Sequence, residues 1–314
     1  MTVSNDSSKI QNAVRALMSG ELIIMPTETV YGLAADATNS LAVARIFEAK
    51  GRPRFNPLIV HVSNIDMAER HVIIGERAEK LMRHFWPGPL TFVLQKQAGS
   101  PVADLVSAGL ATIAVRAPDH RVAQALMKQA GRPLAAPSAN PSGSLSPTKL
   151  EHIAPAICDA ASVALDGGSC AYGLESTVLG FEDADIVLLR AGAIAASDIE
   201  AVVGPLQRTS SHQGLGSPGR LLSHYAPQTP LKLNAIMVEE SDALLAFGPG
   251  VPQGAKITLN LSPSGSLREA AANFFAFLAE LDAQGHKRIA VMPIPNQGLG
   301  EAINDRLTRA VHLT

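Results

Sequence analysis

The sequence contains few of the residues that mark a disulfide-stabilised protein. Among its 314 residues there are two cysteines, Cys158 and Cys170, and their spacing matches neither a CxxC pair nor a zinc site. Small disulfide-rich scaffolds are much shorter and much richer in cysteine than this chain. We therefore interpret both cysteines as small structural side chains.

Long apolar runs and an excess of basic charge are also absent. No stretch of about 18 apolar residues could span a bilayer, and residues 1–10 lack the apolar segment of a secretion signal. The 26 basic and 28 acidic residues give a net charge of -2, and aromatic residues make up 4%. We expect a cytoplasmic protein with no membrane partner, and any basic region that binds an anion must be local.

The usual phosphate-binding motifs are missing or lie in the wrong context. There is no GxxxxGK[ST], so a bound triphosphate would need separate cations instead of a P-loop. Residues 214–219 have GxGxxG spacing but follow a polar run and not a strand, which argues against a dinucleotide site. Residues 146–149 have the SxxK spacing of serine acyl enzymes without the other elements in order. No metal-ligand cluster occurs at a familiar spacing.

Apolar runs of strand length alternate with helical patterns over the first two-thirds of the chain. Strand-like runs occupy residues 22–25, 58–62, 90–94, 112–116, 163–165 and 186–190. Helical patterns occupy residues 41–50, 76–85 and 121–129. This alternation predicts an α/β domain with a twisted, mixed sheet.

A change of composition then separates a second region. Residues 204–228 are rich in glycine, serine and proline, which predicts a linker. Beyond it, strand-like runs at 243–247 and 289–292 flank an amphipathic helical pattern at 267–281. We predict a first domain at 1–205, a linker at 206–228 and a smaller α/β domain at 229–314.

Cations and hydroxyls follow several of the predicted strands. Residues 26–33 read PTETVYGL and residues 50–58 read KGRPRFNPL, while Arg116 and Arg190 each close a strand-like run. Strand ends are where α/β proteins gather binding sites. A single arginine is most often a solvated surface charge, but this placement favours a site for an anionic ligand.

Two further segments carry polar groups whose interpretation stays open. Residues 137–143 read PSANPSG and suit either a plain turn or a ligand-positioning loop. Ser146 precedes Pro147 and a helix-like stretch to residue 157, so we predict that it caps that helix, where it can also contact a phosphate. His61 ends a strand-like run, a place where a lone histidine is more often structural than catalytic.

Taken together, the motifs resemble the threonylcarbamoyl-AMP synthase family, in the long form with a YrdC-like domain and a C-terminal extension domain. The matching segments are PTETVYGL at 26–33, KGRPxxNPL at 50–58, WPGPLT at 86–91, VRAPDH at 115–120, APSANPSG at 136–143, SPT at 146–148, ESTV at 175–178 and SPGxxxxHYAP at 217–227. Residues 260–262 and 299–307 are similar to the extension domain. The resemblance implies a YrdC-like mixed sheet followed by a smaller Rossmann-like domain.

The resemblance also implies an activity, that of an L-threonylcarbamoyladenylate synthase, a nucleotidyltransferase. L-Threonine, bicarbonate or carbon dioxide, and ATP would give threonylcarbamoyl-AMP and pyrophosphate for tRNA modification beside the anticodon. The carbamate formed on threonine can itself attack the α-phosphate, so no serine or cysteine nucleophile is required. Mg²⁺ would accompany the phosphates. A tRNA or a transferase complex is the implied recipient of the intermediate.

The residues of the site follow from the same motifs. The threonine set implied by the resemblance is Thr29, His61, Arg116 and Ser176. The ATP set is Lys50, Arg52, Asn56, Thr112, Ser138, Asn140, Ser146, Arg190 and Tyr225, with Lys50 and Arg52 as the catalytic cations and no metal ligand from the protein. Arg116 suits a carboxylate through a bidentate pair. Tyr225 is expected to fold over the nucleotide as a lid, and Arg220 stands where the family often has methionine.

Two other functions remain open at this point. One is an RNA-binding module, which the net charge of -2 and the 4% aromatic content disfavour. The other is a carbamoyl-transfer or nucleotide-hydrolysing enzyme with the same fold and another acceptor, which the identity of the product would distinguish.

Overall fold

The computed structural model describes residues 3–182, 185–208 and 225–311, with side chains from residue 7 onward. The strands within these residues are β1 Ile23–Met25, β2 Gly32–Asp36, β3 Ile59–His61, β4 Leu90–Gln95, β5 Thr112–Arg116, β6 Leu134–Ala135, β7 Val163–Ala164, β8 Thr177–Glu182, β9 Asp185–Arg190, β10 Gln207–Arg208, β11 Leu231–Lys232, β12 Ala243–Ala246, β13 Ile257–Asn260 and β14 Ile289–Val291. The α-helices are α1 Val3–Met18, α2 Ser40–Lys50, α3 Ile65–Glu69, α4 Glu76–Phe85, α5 Arg121–Ala130, α6 Pro155–Asp159, α7 Ala196–Val203, α8 Leu267–Asp282 and α9 Leu299–Val311. Of the helices in this part of the chain, none has the length and apolar character needed to cross a membrane.

The first domain is built on a ten-stranded sheet in the order β10-β9-β8-β4-β5-β3-β6-β2-β1-β7. Strands β3 and β5 run parallel, as do β4 and β8, whereas β4 with β5 and β8 with β9 are antiparallel. The predicted mixed sheet is therefore confirmed. Its two buried faces fit the nearly continuous apolar character of the central strands.

Helix α2 delivers the cationic segment to its place in the first domain. Asn39 caps the helix by accepting from the backbone N–H groups of Leu41 and Ala42. Gly51 ends it in the left-handed region with φ of 58°. A glycine adopts that conformation without a side-chain penalty, so the chain turns sharply between Lys50 and Arg52.

One predicted helix does not form as expected. The stretch from Ser146 to residue 157 contains a short 3₁₀ helix, Leu150–His152, followed by the five-residue α6. Pro155 divides the two, because proline lacks a backbone N–H and disfavours the helical conformation in the preceding residue. The prediction that Ser146 is a helix cap is wrong, since its hydroxyl donates to Glu175 instead.

The second domain has a smaller, wholly parallel sheet in the order β11-β14-β12-β13. Helices α8 and α9 pack against each other, and Phe274, Phe275 and Leu278 of α8 lie in the core. The predicted smaller α/β domain is confirmed. Its core also includes Val30 and Leu174 of the first domain, so the two domains share a buried interface.

The predicted linker is partly sheet. Its residues Gln207 and Arg208 form β10, which pairs in parallel with β9 at the edge of the first sheet. Residues 209–224 lie outside the described residues, and with them the GxGxxG match at 214–219 and Arg220.

Candidate active site

Three of the predicted residues end strands that lie near one another in the first sheet. His61 is the last residue of β3 and the register partner of Arg116, the last residue of β5. Arg190 ends β9 and donates to the backbone oxygen of Ser176, immediately before β8. These side chains border one cavity.

Members of both predicted sets line this cavity. The lining residues from the threonine set are Thr29, His61, Arg116 and Ser176, and those from the ATP set are Arg52, Ser138, Arg190 and Tyr225. The cavity also borders the segment that leads into β3, with Pro57, Leu58 and Ile59 in its lining. The pocket thus brings residues of the two predicted sets together.

Arg116 is held by three groups before any ligand arrives. Its Nη2 lies 2.7 Å from Glu28 Oε1, its Nη1 donates to Thr29 Oγ1 at 2.9 Å, and its Nε donates to Gly88 O at 3.3 Å. A guanidinium has five N–H donors, so one donor remains on each terminal nitrogen. Both can serve a ligand carboxylate.

His61 contributes a neutral imidazole to the same end of the cavity. Burial and the nearby Arg116 charge lower the pKa of His61 to about 3. Its Nδ1 atom is buried and has no hydrogen-bond partner among the described residues. At neutral pH this side chain can therefore hydrogen-bond a polar ligand without adding charge.

Arg190 and Arg52 give the other end of the cavity its positive charge. Arg190 Nη2 donates to Ser176 O at 2.8 Å and to Ser176 Oγ at 3.1 Å. Arg52 donates to the backbone oxygens of Asn56 and Pro57 at 3.1 and 2.8 Å. Burial and the Arg190 charge lower the pKa of Arg52 to about 10, which leaves it charged at neutral pH. Two buried arginines beside one cavity favour an anion.

Lys50 and Asn140 lie outside the cavity wall and support the loop that forms part of it. Lys50 Nζ donates to Ser138 O at 2.6 Å and contacts both Asn140 O and Asn140 Oδ1. Burial and Arg52 lower the pKa of Lys50, while the three oxygen acceptors favour its ammonium form. The Lys50 side chain therefore fixes the loop that carries Ser138. The contacts of Lys50 and Asn140 with a phosphate stay predictions.

Asn56, Ser146 and Thr112 also lie outside the cavity wall. Asn56 is buried, and its Nδ2 has no hydrogen-bond partner among the described residues. Its backbone oxygen accepts a hydrogen bond from Arg52 Nε. Ser146 Oγ donates to Glu175 Oε1 at 2.6 Å, and Glu175 lines the cavity. Thr112 begins β5, two residues before the Ala114 that pairs with Ile59. The roles predicted for these three residues remain untested.

Tyr225, in the segment predicted as a linker, forms part of the cavity wall and packs on the core of the second domain. It is 2% exposed, and its ring centroid lies 5.7 Å from that of Phe275 in α8. The following residue, Ala226, donates its N–H to Gly143 O at 2.9 Å. The connecting segment thus supplies a side chain to a cavity built mainly by the first domain.

Sequence reasoning assigned no role to three charged residues of the site. Glu28 and Glu175 lie within the motifs at 26–33 and 175–178, where a carboxylate among hydroxyl and apolar residues could have signalled a partner arginine. Arg306 of α9 reaches Glu175 across 131 residues of sequence. Nothing local to Arg306 in the sequence could have indicated that contact.

Together these features define a class: a two-domain α/β protein with an arginine-lined cavity in its first domain, to which Tyr225 of the connecting segment contributes. A family model described as "Telomere recombination", Sua5_yciO_yrdC, matches residues 15–192. A second model, described as "Threonylcarbamoyl-AMP synthase, C-terminal domain", matches residues 194–311.

Relatives and solved structures agree over nearly the whole chain. The chain is 38% identical to the threonylcarbamoyl-AMP synthase of Bacillus subtilis over 98% of its own length and 94% of the relative. It is 36% identical to that of Pyrococcus abyssi over 96% and 94% of the two chains. The crystal structure of P. abyssi Sua5 complexed with L-threonine superposes with a TM-score of 0.88 at 35% identity, over 96% and 94% of the chains. The protein belongs to the threonylcarbamoyl-AMP synthase family.

Proposed function

We propose that the protein makes threonylcarbamoyl-AMP and pyrophosphate from L-threonine, bicarbonate or carbon dioxide, and ATP. The observation that carries this proposal is that one cavity is lined both by Arg116 with His61 and by Arg52 with Arg190. The first pair suits an amino acid and the second a polyphosphate. The similarity to Sua5 complexed with L-threonine supports the same substrate here.

At the amino-acid end, the two remaining donors of Arg116 bind the threonine carboxylate. Glu28 neutralises Arg116 in part and fixes its direction. Ser176 and Thr29 place hydroxyl groups beside the same position, and His61 adds a neutral hydrogen-bonding nitrogen. These groups hold the amino acid so that its nitrogen, after taking up carbon dioxide, faces the nucleotide.

At the nucleotide end, the chemistry needs charge stabilisation and no protein nucleophile. A carboxylate oxygen of the threonine carbamate attacks the α-phosphorus, and the bond from that phosphorus to the bridging oxygen of pyrophosphate breaks. Arg52 and Arg190 lie where they can offset the negative charge that develops on the phosphates. Tyr225 closes this side of the cavity.

The substrate in this proposal is the magnesium complex of ATP. Among the described residues there is no group of three or more His, Cys, Asp or Glu side chains that could hold a metal ion. Magnesium often binds to phosphate oxygens and water with few protein ligands, so it fits as part of the substrate. We further propose that the product passes to a tRNA-modifying transferase.

The test is to incubate the purified protein with ATP, magnesium, bicarbonate and L-threonine and to identify the product by mass spectrometry. The proposal predicts an adenylate whose mass includes threonine and one carbon dioxide, formed with equimolar pyrophosphate. Reactions with serine, or without an amino acid, serve as controls. Nucleotide turnover that is equal in all three reactions would show that another acceptor is used.

A further inference from the structure

Arg306 is the largest fully buried side chain of the described residues, and it joins the second domain to the site. It lies on α9, with an exposed fraction of 0%. Its Nε donates to Glu175 Oε2 at 3.1 Å, and its Nη1 donates to Ala191 O at 2.7 Å and contacts Asp305 Oδ2 at 3.0 Å. A buried arginine at a domain interface is costly unless its partners repay the loss of hydration.

The position of those partners gives Arg306 its significance. Glu175 lines the cavity, and Ala191 directly follows Arg190, the cation of the nucleotide end. Arg306 therefore contacts the cavity wall at a carboxylate and also the backbone next to Arg190. Its guanidinium carbon lies 5.4 Å from the centre of the Tyr225 ring, within the range of a cation–π contact.

Glu175 is an unexpected residue at a site for phosphate. It is buried, so its charge is weakly screened, and a carboxylate there repels a polyphosphate and competes for Arg190. Burial by itself would raise the pKa of Glu175, but Arg306 and Arg190 together hold it below its usual value, so the carboxylate is ionised. Ser146 donates to its other oxygen. The anion therefore needs a dedicated counter-charge.

We propose that Arg306 is a positioning residue of the nucleotide site: it neutralises Glu175 and holds the backbone after Arg190, which leaves Arg190 free to bind the phosphates of ATP. The second domain then completes the ATP end of the cavity and leaves the threonine end to the first domain. This inference rests on the proposed function.

The experiment compares full-length wild-type protein with Arg306→Met, Glu175→Gln and the double variant, using calorimetric binding of ATP and steady-state kinetics. Methionine keeps an apolar contact with the Tyr225 ring, and glutamine keeps an acceptor for Ser146. Arg306→Met is expected to weaken ATP binding about tenfold or more, because the Glu175 charge is then uncompensated. The KM for threonine should change by less than about twofold. The double variant should bind ATP within about threefold of wild type.

Arg208→Met is the matched control. Arg208 also pairs with a carboxylate of α9, that of Glu301, but neither residue lines the cavity or contacts Arg306, so ATP binding should be unchanged. Circular dichroism identifies any variant that does not fold. If Arg306→Met does not fold, Arg306→Gln, which keeps a donor for Glu175 without the charge, replaces it with the same expected loss of ATP affinity and the same recovery on adding Glu175→Gln.

Three results would overturn the inference. The first is wild-type ATP affinity in a folded Arg306→Met variant. The second is a rise in the KM for ATP that is matched by an equal rise in the KM for threonine and is not reversed when Glu175→Gln is added. The third is a tenfold loss of ATP affinity in a folded double variant. A wild-type protein that binds ATP but makes no threonylcarbamoyl-AMP would refute the proposed function, while the ATP affinities would still decide the role of Arg306.

Discussion

Replacing Arg116 should separate threonine binding from folding, because this side chain serves both. It forms a buried ion pair with Glu28, both groups being 4% exposed, and keeps two donors for a ligand. A hydrogen bond to a charged group contributes about 1.5–3 kcal/mol. Loss of the threonine contact in Arg116→Met should therefore raise the KM for threonine by about tenfold to a hundredfold.

The same substitution should also destabilise the protein. Breaking a buried ion pair by removing one partner costs about 3–5 kcal/mol, because the other charge stays buried and uncompensated. Since domains are typically stable by about 5–15 kcal/mol, Arg116→Met alone endangers the fold. The double variant Arg116→Met/Glu28→Met removes both charges, and such apolar replacements of buried pairs are often neutral in stability.

The assay is the rate of pyrophosphate release at saturating ATP and bicarbonate with threonine varied, together with urea unfolding. We expect the double variant to recover most of the free energy of unfolding and to keep the raised KM for threonine. Arg132→Met, which removes a half-exposed arginine paired with Asp36, is the control and should leave the KM unchanged. A folded double variant with the wild-type threonine requirement would show that Arg116 does not bind the substrate.

Three further predictions address the remaining parts of the site. Gly192→Ala should destabilise the protein by several kcal/mol and abolish turnover, because a Cβ atom there would lie 2.4 Å from the backbone carbon of Ser176; circular dichroism and activity together check this. The pKa of His61 is about 3 in the folded protein and 6.5 in the unfolded chain. The neutral buried imidazole therefore contributes stability that is present above pH 6.5 and is lost as the pH falls toward 3. Between pH 7 and pH 5 the free energy of unfolding should therefore fall by on the order of 2 kcal/mol more in wild type than in His61→Gln. An equal fall in the two proteins would contradict the buried neutral imidazole. Tyr225→Ala should weaken ATP binding several-fold and cost about 3–5 kcal/mol of stability through the cavity it leaves, which calorimetry and urea unfolding check; unchanged ATP affinity in a folded Tyr225→Ala variant would exclude the ring from the site.

Local sequence patterns predicted the strands and helices that are stabilised by burial of their own apolar residues. The runs at 112–116 and 186–190 became β5 and β9, because apolar β-branched residues suit a strand covered on both faces. Helix α2 ends where Gly51 predicts. The short strands β2 and β6 have no pattern of their own, and they exist because neighbouring strands pair with them. The prediction of one helix after Ser146 was wrong, because Pro155 interrupts an apparently helical pattern.

The residue types of the site were likewise determined by sequence, but their arrangement was not. Arginines after strands and hydroxyls in motifs can be found by inspection, because strand ends gather ligands. Which residues face the cavity and which support it depends on tertiary contacts. The sequence could not show that the Lys50 ammonium group holds the loop that carries Ser138, and its contact with a phosphate stays a prediction. Arg306 gained its importance only from the fold, which places it beside Glu175, because a buried charge is defined by partners that can lie anywhere along the chain.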